Sequence, residues 1–327
     1  MTSPVVQLIV DSDCGSDDAM ALMLALGGER ADRVMAVTCC YGNTTVDHVR
    51  DNVRRVLTVC GRTEIPVYSG SSHPLERSDP DPIAVRSSVA VHGSDGFGER
   101  SHLFPIGGAD NSKEENAVDF LVRVARERPG EVTVVALAPL TNLAAAHRKD
   151  PTFTEGLREI VILGGNYTGL GNVTVSAEFN FFSDPKSAHI VLTESRCPIR
   201  MVPWETCLEN GMEWDDFYAL VNSPGPKAEL IRGATSIVSK FCKDEGDPAF
   251  LDCDVLALVA GLWPECVAET NTLIRKMGVC CEGGRRGMCL IEEEGDEVGG
   301  VSVELILKFR VDMLKDLRKD MIAERHR

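Results

Sequence analysis

Apolar runs of strand length alternate with helix-patterned text along most of this chain, and that alternation limits its architecture more than any other feature. Residues 5–10 read as a buried strand and residues 18–26 as the helix after it. A strand at 34–40 and a helix at 45–60 repeat the pattern. Further strands are predicted at 132–137, 159–163 and 199–203, with a helix over 115–128 that stops before Pro129-Gly130. Such alternation implies an α/β fold: a single domain over residues 1–327 with a mostly parallel, open twisted sheet flanked by helices. Ligands in folds of this kind bind beyond the carboxyl ends of the strands, so the loops after the strands are where chemistry is to be sought. Two segments break the pattern. Residues 71–109 are rich in Pro, Ser, Gly, Asp and His, and residues 222–252 are partly helical, then polar. Each reads either as a segment lying over a site or as a surface excursion.

The charge balance narrows the partners. Fifty Asp and Glu oppose 34 Lys and Arg, a net charge of -16. Phosphate contacts need the reverse balance, so nucleic acid is not an expected partner. No run of about 18 apolar residues is present, so no membrane span is expected. The start, Met1-Thr2-Ser3-Pro4, shows no basic and apolar leader, and a cytoplasmic location is the expectation. The 12 cysteines include no C-x-x-C pair. That argues for reduced thiols rather than a zinc site, disulfides or a thiol redox function.

The sharpest local feature follows the first strand: Asp11-Ser12-Asp13-Cys14-Gly15-Ser16-Asp17-Asp18-Ala19, with four aspartates in eight residues. Gly15 permits a tight turn. Asp17 and Asp18 have a structural explanation as helix-start carboxylates. Asp11 and Asp13, at the end of a buried strand, do not, because unpaired buried charge is costly. A bound cation relieves the repulsion, and hard carboxylate oxygens suit Ca²⁺ or Mg²⁺. Far along the chain, Asp254 in Leu251-Asp252-Cys253-Asp254 opens an apolar helix.

With these pieces in place, nearly the whole chain resembles the nucleoside hydrolase family of the inosine–uridine-preferring type. The family pattern D-x-D-P-G-x-D-D-A matches residues 11–19, with Cys14 at the proline position. Further ordered matches are Thr38 to Asn43 (T-x-x-x-G-N), Ile65-Pro66-Val67-Tyr68-Ser69-Gly70 and His92-Gly93-Ser94-Asp95-Gly96-Phe97-Gly98. Ala138-Pro139-Leu140-Thr141-Asn142-Leu143-Ala144, Gly164-Gly165-Asn166, Glu178-Phe179-Asn180 and Asp184-Pro185 complete the series. The resemblance implies a Rossmann-like nucleoside hydrolase fold and Ca²⁺-dependent hydrolysis of the N-glycosidic bond of a ribonucleoside to ribose and base. It implies Asp13, Asp18, Asp254 and the Leu137 carbonyl as Ca²⁺ ligands. Asp13 is also the implied general base, activating a metal-bound water for attack on C1′. Asp17, Asn43, Asn166, Glu178 and Asn180 match positions that hold the ribose hydroxyls, and His92 a position beside the base. A homodimer or homotetramer is implied as well.

Cys253 stands where many members carry a histidine associated with protonating the leaving purine. A thiol is a weak acid for that task. The step then falls to His92, to a residue of the 222–252 segment, or to aromatic stacking. Trp204, at a strand end, is the aromatic placed to reach ligand; Trp263 reads as core. Cys280-Cys281 read as part of a core strand, and His48 and His189 as packing or surface residues. Residues 315–327 read as an amphipathic helix with Met313, Leu317 and Met321 on its buried side. Two other functions compete. A haloacid-dehalogenase-type phosphatase shares the D-x-D opening, but Gly15 and the Asp17-Asp18 pair have no place in it. A non-catalytic nucleoside or ribose binder on the same fold is the other.

Overall fold

The computed structural model describes residues 6–76, 81–108, 110–111, 114–268, 272–292 and 300–323. Its sheet begins with β1 (Gln7–Ser12), β2 (Val34–Cys39), β3 (Val67–Ser69), β4 (Val132–Ala136), β5 (Glu159–Leu163) and β6 (Ile199–Val202). Three later strands, β7 (Thr272–Val279), β8 (Cys289–Ile291) and β9 (Ser302–Ile306), extend one side. The order is β3-β2-β1-β4-β5-β6-β9-β7-β8. The first seven in that order pair in parallel; β7 runs antiparallel to both β9 and β8. The mostly parallel α/β sheet expected from the strand–helix alternation is present, with an antiparallel margin that the alternation did not announce. Residue 5, the expected strand start, lies outside the described residues.

Period-2 alternation divides the strands between two cores. Leu8 and Val10 of β1 face one cluster and Ile9 the other; Val161 and Leu163 of β5 divide from Ile160 and Ile162 in the same way. The first core is covered by α1 (Ser16–Gly27), α2 (Val46–Val59), α10 (Pro226–Ala234) and α12 (Cys253–Leu262). The second is covered by α4 (Ala117–Glu127), α5 (Thr141–Lys149) and α7 (Pro185–Glu194). α1 and α12 are apolar on nearly every side because both are enclosed, and they pack on each other. Gly261 lets α12 approach the sheet: a Cβ there would lie 2.5 Å from Val135 Cγ2. Among the described residues, no helix is long and apolar enough to cross a membrane.

The two pattern-breaking segments carry helices. α3 (Pro82–His92) lies within 71–109, started by Asp81 as N-cap and Pro82 at the first helical position. α11 (Ser236–Glu245) lies within 222–252 after α10, and the two pack α3 against α11. The remaining helices are α6 (Phe179–Ser183), α8 (Trp204–Glu209), α9 (Trp214–Val221) and α13 (Val311–Asp320). Two sequence readings need correction. Cys280 and Cys281 follow β7 rather than lying in it, and both are half-buried. α13 buries Leu314 and Arg318, with Met321 after it, while Met313 and Leu317 are only partly buried. Met321 is buried as expected and Met313 and Leu317 pack against the core, but the most buried line also takes in Leu314 and the charged Arg318. Residues 324–327 of that expected helix lie outside the described part. Trp263 is core as expected, His48 is exposed, and His189 accepts the Val279 N–H.

Candidate active site

A cavity of about 360 Å³ opens beyond the carboxyl ends of β1, β2, β4, β5 and β6. Each of these strands hands its following loop to the wall: Asp17 after β1, Asn43 after β2, Leu137 after β4, Gly164 after β5 and Trp204 after β6. β1 lies where the strand order reverses, between β2 and β4, the place where open parallel sheets leave a crevice.

Acidic groups gather at this crevice. The chain leaves β1, turns through Gly15 and enters α1, whose third residue, Asp18, reaches back to accept the Gly15 N–H at 2.9 Å. Asp18 also accepts from Ser12 Oγ at 2.7 Å and Asn43 Nδ2 at 3.2 Å. Gly42 keeps the β2 loop close, because a Cβ there would collide with the Asp13 carboxylate. That approach brings the Asn43 N–H to Asp13 Oδ2 at 2.8 Å, while the buried Oδ1 has no partner. Asp11 is anchored by Thr38 Oγ1 at 2.6 Å and Asn142 Nδ2 at 2.8 Å. Asp254 arrives on the first turn of α12, 2 % exposed, with its carboxyl hydrogen-bonded to that of Asp18. Carboxylate oxygens of Asp17, Asp18 and Asp254 all lie within 4.8 Å of one another.

Burial and mutual repulsion raise the proton affinity of the whole group. Asp13 and Asp254 are pushed well above the usual carboxylate range, first by burial and then by neighbouring carboxylates. Asp17 is pushed up to about 7 by burial and by Asp18, although the nearby Asp254 backbone N–H opposes the shift. Two carboxyls that share a hydrogen bond need a proton or a cation between them. Hard oxygen donors at this spacing, with a spare buried oxygen on Asp13, fit a divalent ion of the Ca²⁺ or Mg²⁺ type.

A neutral polar group adjoins the acids. Glu178 caps α6, accepting N–H groups of Asn180 at 2.9 Å, Gly165 at 2.8 Å and Phe181 at 3.1 Å. Burial still pushes its carboxyl up to about 7. Asn180 Nδ2 donates to the Leu137 carbonyl at 2.8 Å and its Oδ1 has no partner. On the opposite wall, α3 contributes Ser87, Ser88, Val91 and His92, and α11 contributes Val238, Phe241, Cys242 and Glu245. His92 Nδ1 is bonded to Ser16 Oγ at 2.8 Å and accepts the Ser16 N–H at 3.3 Å. Burial holds this imidazole down to about 4. Cys253 lies beside Cys207; that thiol and burial push Cys253 well above its ordinary value. None of the described residues lining the cavity is a Lys or Arg.

The family model for inosine-uridine preferring nucleoside hydrolases matches residues 8–316. The chain belongs to that family. A probable uridine nucleosidase 2 of Oryza sativa subsp. japonica is 35% identical over 281 residues, covering 84% of this chain and 80% of that protein. Among solved structures, a plant nucleoside hydrolase superposes with a TM-score of 0.87 at 28% identity, covering 97% of this chain and 99% of that one. A purine-preferring ribonucleoside hydrolase from Gardnerella vaginalis gives 0.84 at 25% identity, covering 97% and 98%.

Within this nucleoside hydrolase, most of the residues singled out from the sequence converge. Asp17, Asn43, His92, Leu137, Glu178, Asn180, Trp204, Cys253 and Asp254 line the cavity. Asp13 and Asp18 are buried beside them. Two placements differ from expectation. The tight oxygen group contains Asp17, which had been assigned to ribose, and does not contain Asp13. Asn166 is not a lining residue; its Nδ2 donates to the carbonyls of Leu170 at 3.0 Å and Ser176 at 2.9 Å, pinning the loop after β5. The α3 and α11 walls come from the two segments read as lying over a site or on the surface, but apart from His92 their lining residues went unnamed because the signal was compositional. Only the apolar spacing of Val238, Phe241 and Cys242 hinted at a helix face there.

Proposed function

We propose that the protein is a divalent-cation-dependent ribonucleoside hydrolase, with Ca²⁺ as the ion, that cleaves the N-glycosidic bond to give ribose and a free base. The observation that carries this reading is the acidic group itself: three carboxylates within 4.8 Å and an unpartnered Asp13 oxygen, at the end of a cavity of nucleoside size. Asp18 and Asp254 would hold the ion with the Leu137 carbonyl and Asp13, and Asp17 has an oxygen within the same close group as Asp18 and Asp254. Bound there, a divalent ion would lower the pKa of a water and orient the ribose diol. Asp13 is the base: Asn43 fixes one carboxylate oxygen and leaves the other to take the proton of the attacking water. Asn180 Oδ1 is free to accept a ribose hydroxyl, and Glu178 is held rigid by three backbone donors for the same purpose. The positive charge that develops on the sugar is met by a cavity rich in carboxylates.

Leaving-group activation is the step the residues serve least. His92 is neutral at neutral pH with Nδ1 engaged, so it offers a hydrogen bond from Nε2 rather than a mobile proton. The Cys253 thiol is a still weaker acid. Phe241 and Trp204 offer faces against which a base can stack. The family resemblance also carries a homodimer or homotetramer, to be read by light scattering.

The test is a panel of ribonucleosides plus p-nitrophenyl riboside, assayed with Ca²⁺ and with chelator. Turnover that needs the ion supports the reading, and nitrophenyl turnover well ahead of inosine locates the weak step at Cys253. Tight nucleoside binding without base release from any substrate would instead make the protein a binder.

A further inference from the structure

The carboxyl-terminal helix places one charged side chain inside the protein. Arg318 of α13 is 7% exposed and reaches Asp252, which is 1% exposed, with Nε donating at 2.8 Å and Nη2 at 2.5 Å. A further Nη2 bond to the Asn210 carbonyl at 2.7 Å fixes the guanidinium. Asp252 is the N-cap residue of α12, yet its side chain makes no capping hydrogen bond. An N-cap aspartate ordinarily accepts the N–H of the second or third helical residue. The second residue here is Asp254, whose carboxylate lies within 4.8 Å of those of Asp17 and Asp18. The cap position of α12 thus adjoins the acidic group, and the distant arginine holds the Asp252 carboxylate away from it.

We propose that Arg318 is a positioning residue for the acidic site: by holding the Asp252 carboxylate it keeps that group off the α12 amino terminus, so the first turn of α12 holds Asp254 against Asp17 and Asp18. This rests on the cation-site reading above and adds to it the residue that sets the geometry of Asp17 and Asp254. Without Arg318, Asp252 is a buried charge with no partner, and the α12 cap is the nearest remedy. A recapped first turn then carries Asp254 off its place beside Asp17 and Asp18, and the site loses its arrangement.

The test is Ca²⁺ binding to the full-length protein by isothermal titration calorimetry, with melting temperature followed in parallel. Arg318→Met is expected to weaken Ca²⁺ by about tenfold, the low end for partners that orient metal ligands. Arg318→Lys, which keeps charge but loses the fork, is expected to weaken it by about threefold. Arg318→Met combined with Asp252→Leu removes the competing carboxylate and is expected to recover most of the affinity. Leu314→Ala, on the same buried line of α13, is expected to lower the melting temperature and leave Ca²⁺ affinity unchanged. Wild-type affinity in Arg318→Met overturns the proposal, as does a double variant no better than the single one, or an equal loss in Leu314→Ala. If Arg318→Met does not fold, the lysine and double variants decide by the same criteria. A wild-type protein that takes up no Ca²⁺ overturns the cation-site reading itself, whereas uptake indifferent to Arg318 overturns this inference alone.

Discussion

Glu178→Gln should reverse its effect on stability with pH, and the size of the swing follows from the burial of this carboxyl. Glu178 is 5% exposed, and burial moves its pKa from an ordinary 4.5 up to about 7 despite three backbone donors. The folded state therefore binds this proton more tightly than the unfolded chain. Stability from this group is fully present below about 4.5 and is lost as pH rises through about 7. At 1.36 kcal/mol per pKa unit the loss is about 3 kcal/mol. Glutamine does not titrate. Its lost backbone hydrogen bonds are a constant offset, so the difference between wild type and variant isolates the ionisation. Urea denaturation at intervals from pH 4.5 to 8.5, in chelator, should show the variant gaining about 3 kcal/mol relative to wild type across that range. Turnover in the variant should fall at every pH, because a rigid acceptor for a ribose hydroxyl is gone. A stability difference that stays flat between pH 5 and pH 8 would refute the argument that burial controls this group.

Asp13→Asn should cut kcat by about 10³-fold with nucleoside affinity little changed, as loss of a general base does; steady-state kinetics with calorimetric binding checks this. Ca²⁺ at a hundred times its Kd should stabilise the protein by about 2.7 kcal/mol in thermal melts. Asp254→Asn should abolish that response while leaving the chelated protein at least as stable as wild type, since one buried repulsion is removed. Cys253→His should raise kcat/KM for inosine by at least about tenfold and leave p-nitrophenyl riboside unchanged, because only the former needs a proton on departure. Gly261→Ala should cost about 1–2 kcal/mol in urea melts, as the overlap with Val135 outweighs the gain in helix propensity.

What the sequence makes legible here is what is local. The β1–α1 turn, with its acids and Gly15, lies within a few residues, so spacing alone marked it as a cation site. That the sheet is mostly parallel follows from strand–helix alternation, which needs no knowledge of side-chain contacts; the order β3-β2-β1-β4-β5-β6 does not, and only the structure supplies it. Long-range facts were less accessible. That Asp17 rather than Asp13 completes the tight oxygen group depends on how α12 packs on α1 and where Gly261 lets it rest. Asn166 matched a family position; its Nδ2 is taken by carbonyls of the next loop while its buried Oδ1 has no partner, an arrangement no motif discloses. The burial of Arg318 on the core side of α13 went unread because its partner Asp252 lies in a different part of the chain. The α3 and α11 walls were hidden in segments whose composition resembles loop.

Asp18 and Asp254 reach one another only through the packing of α1 on α12, helices from opposite ends of the chain. An unfinished polypeptide that has made the first and not the second owns half a chelate and no cavity. Ion capture at the proposed site would therefore be a late event in the life of each molecule, and an occupied centre would certify that the two helices have met.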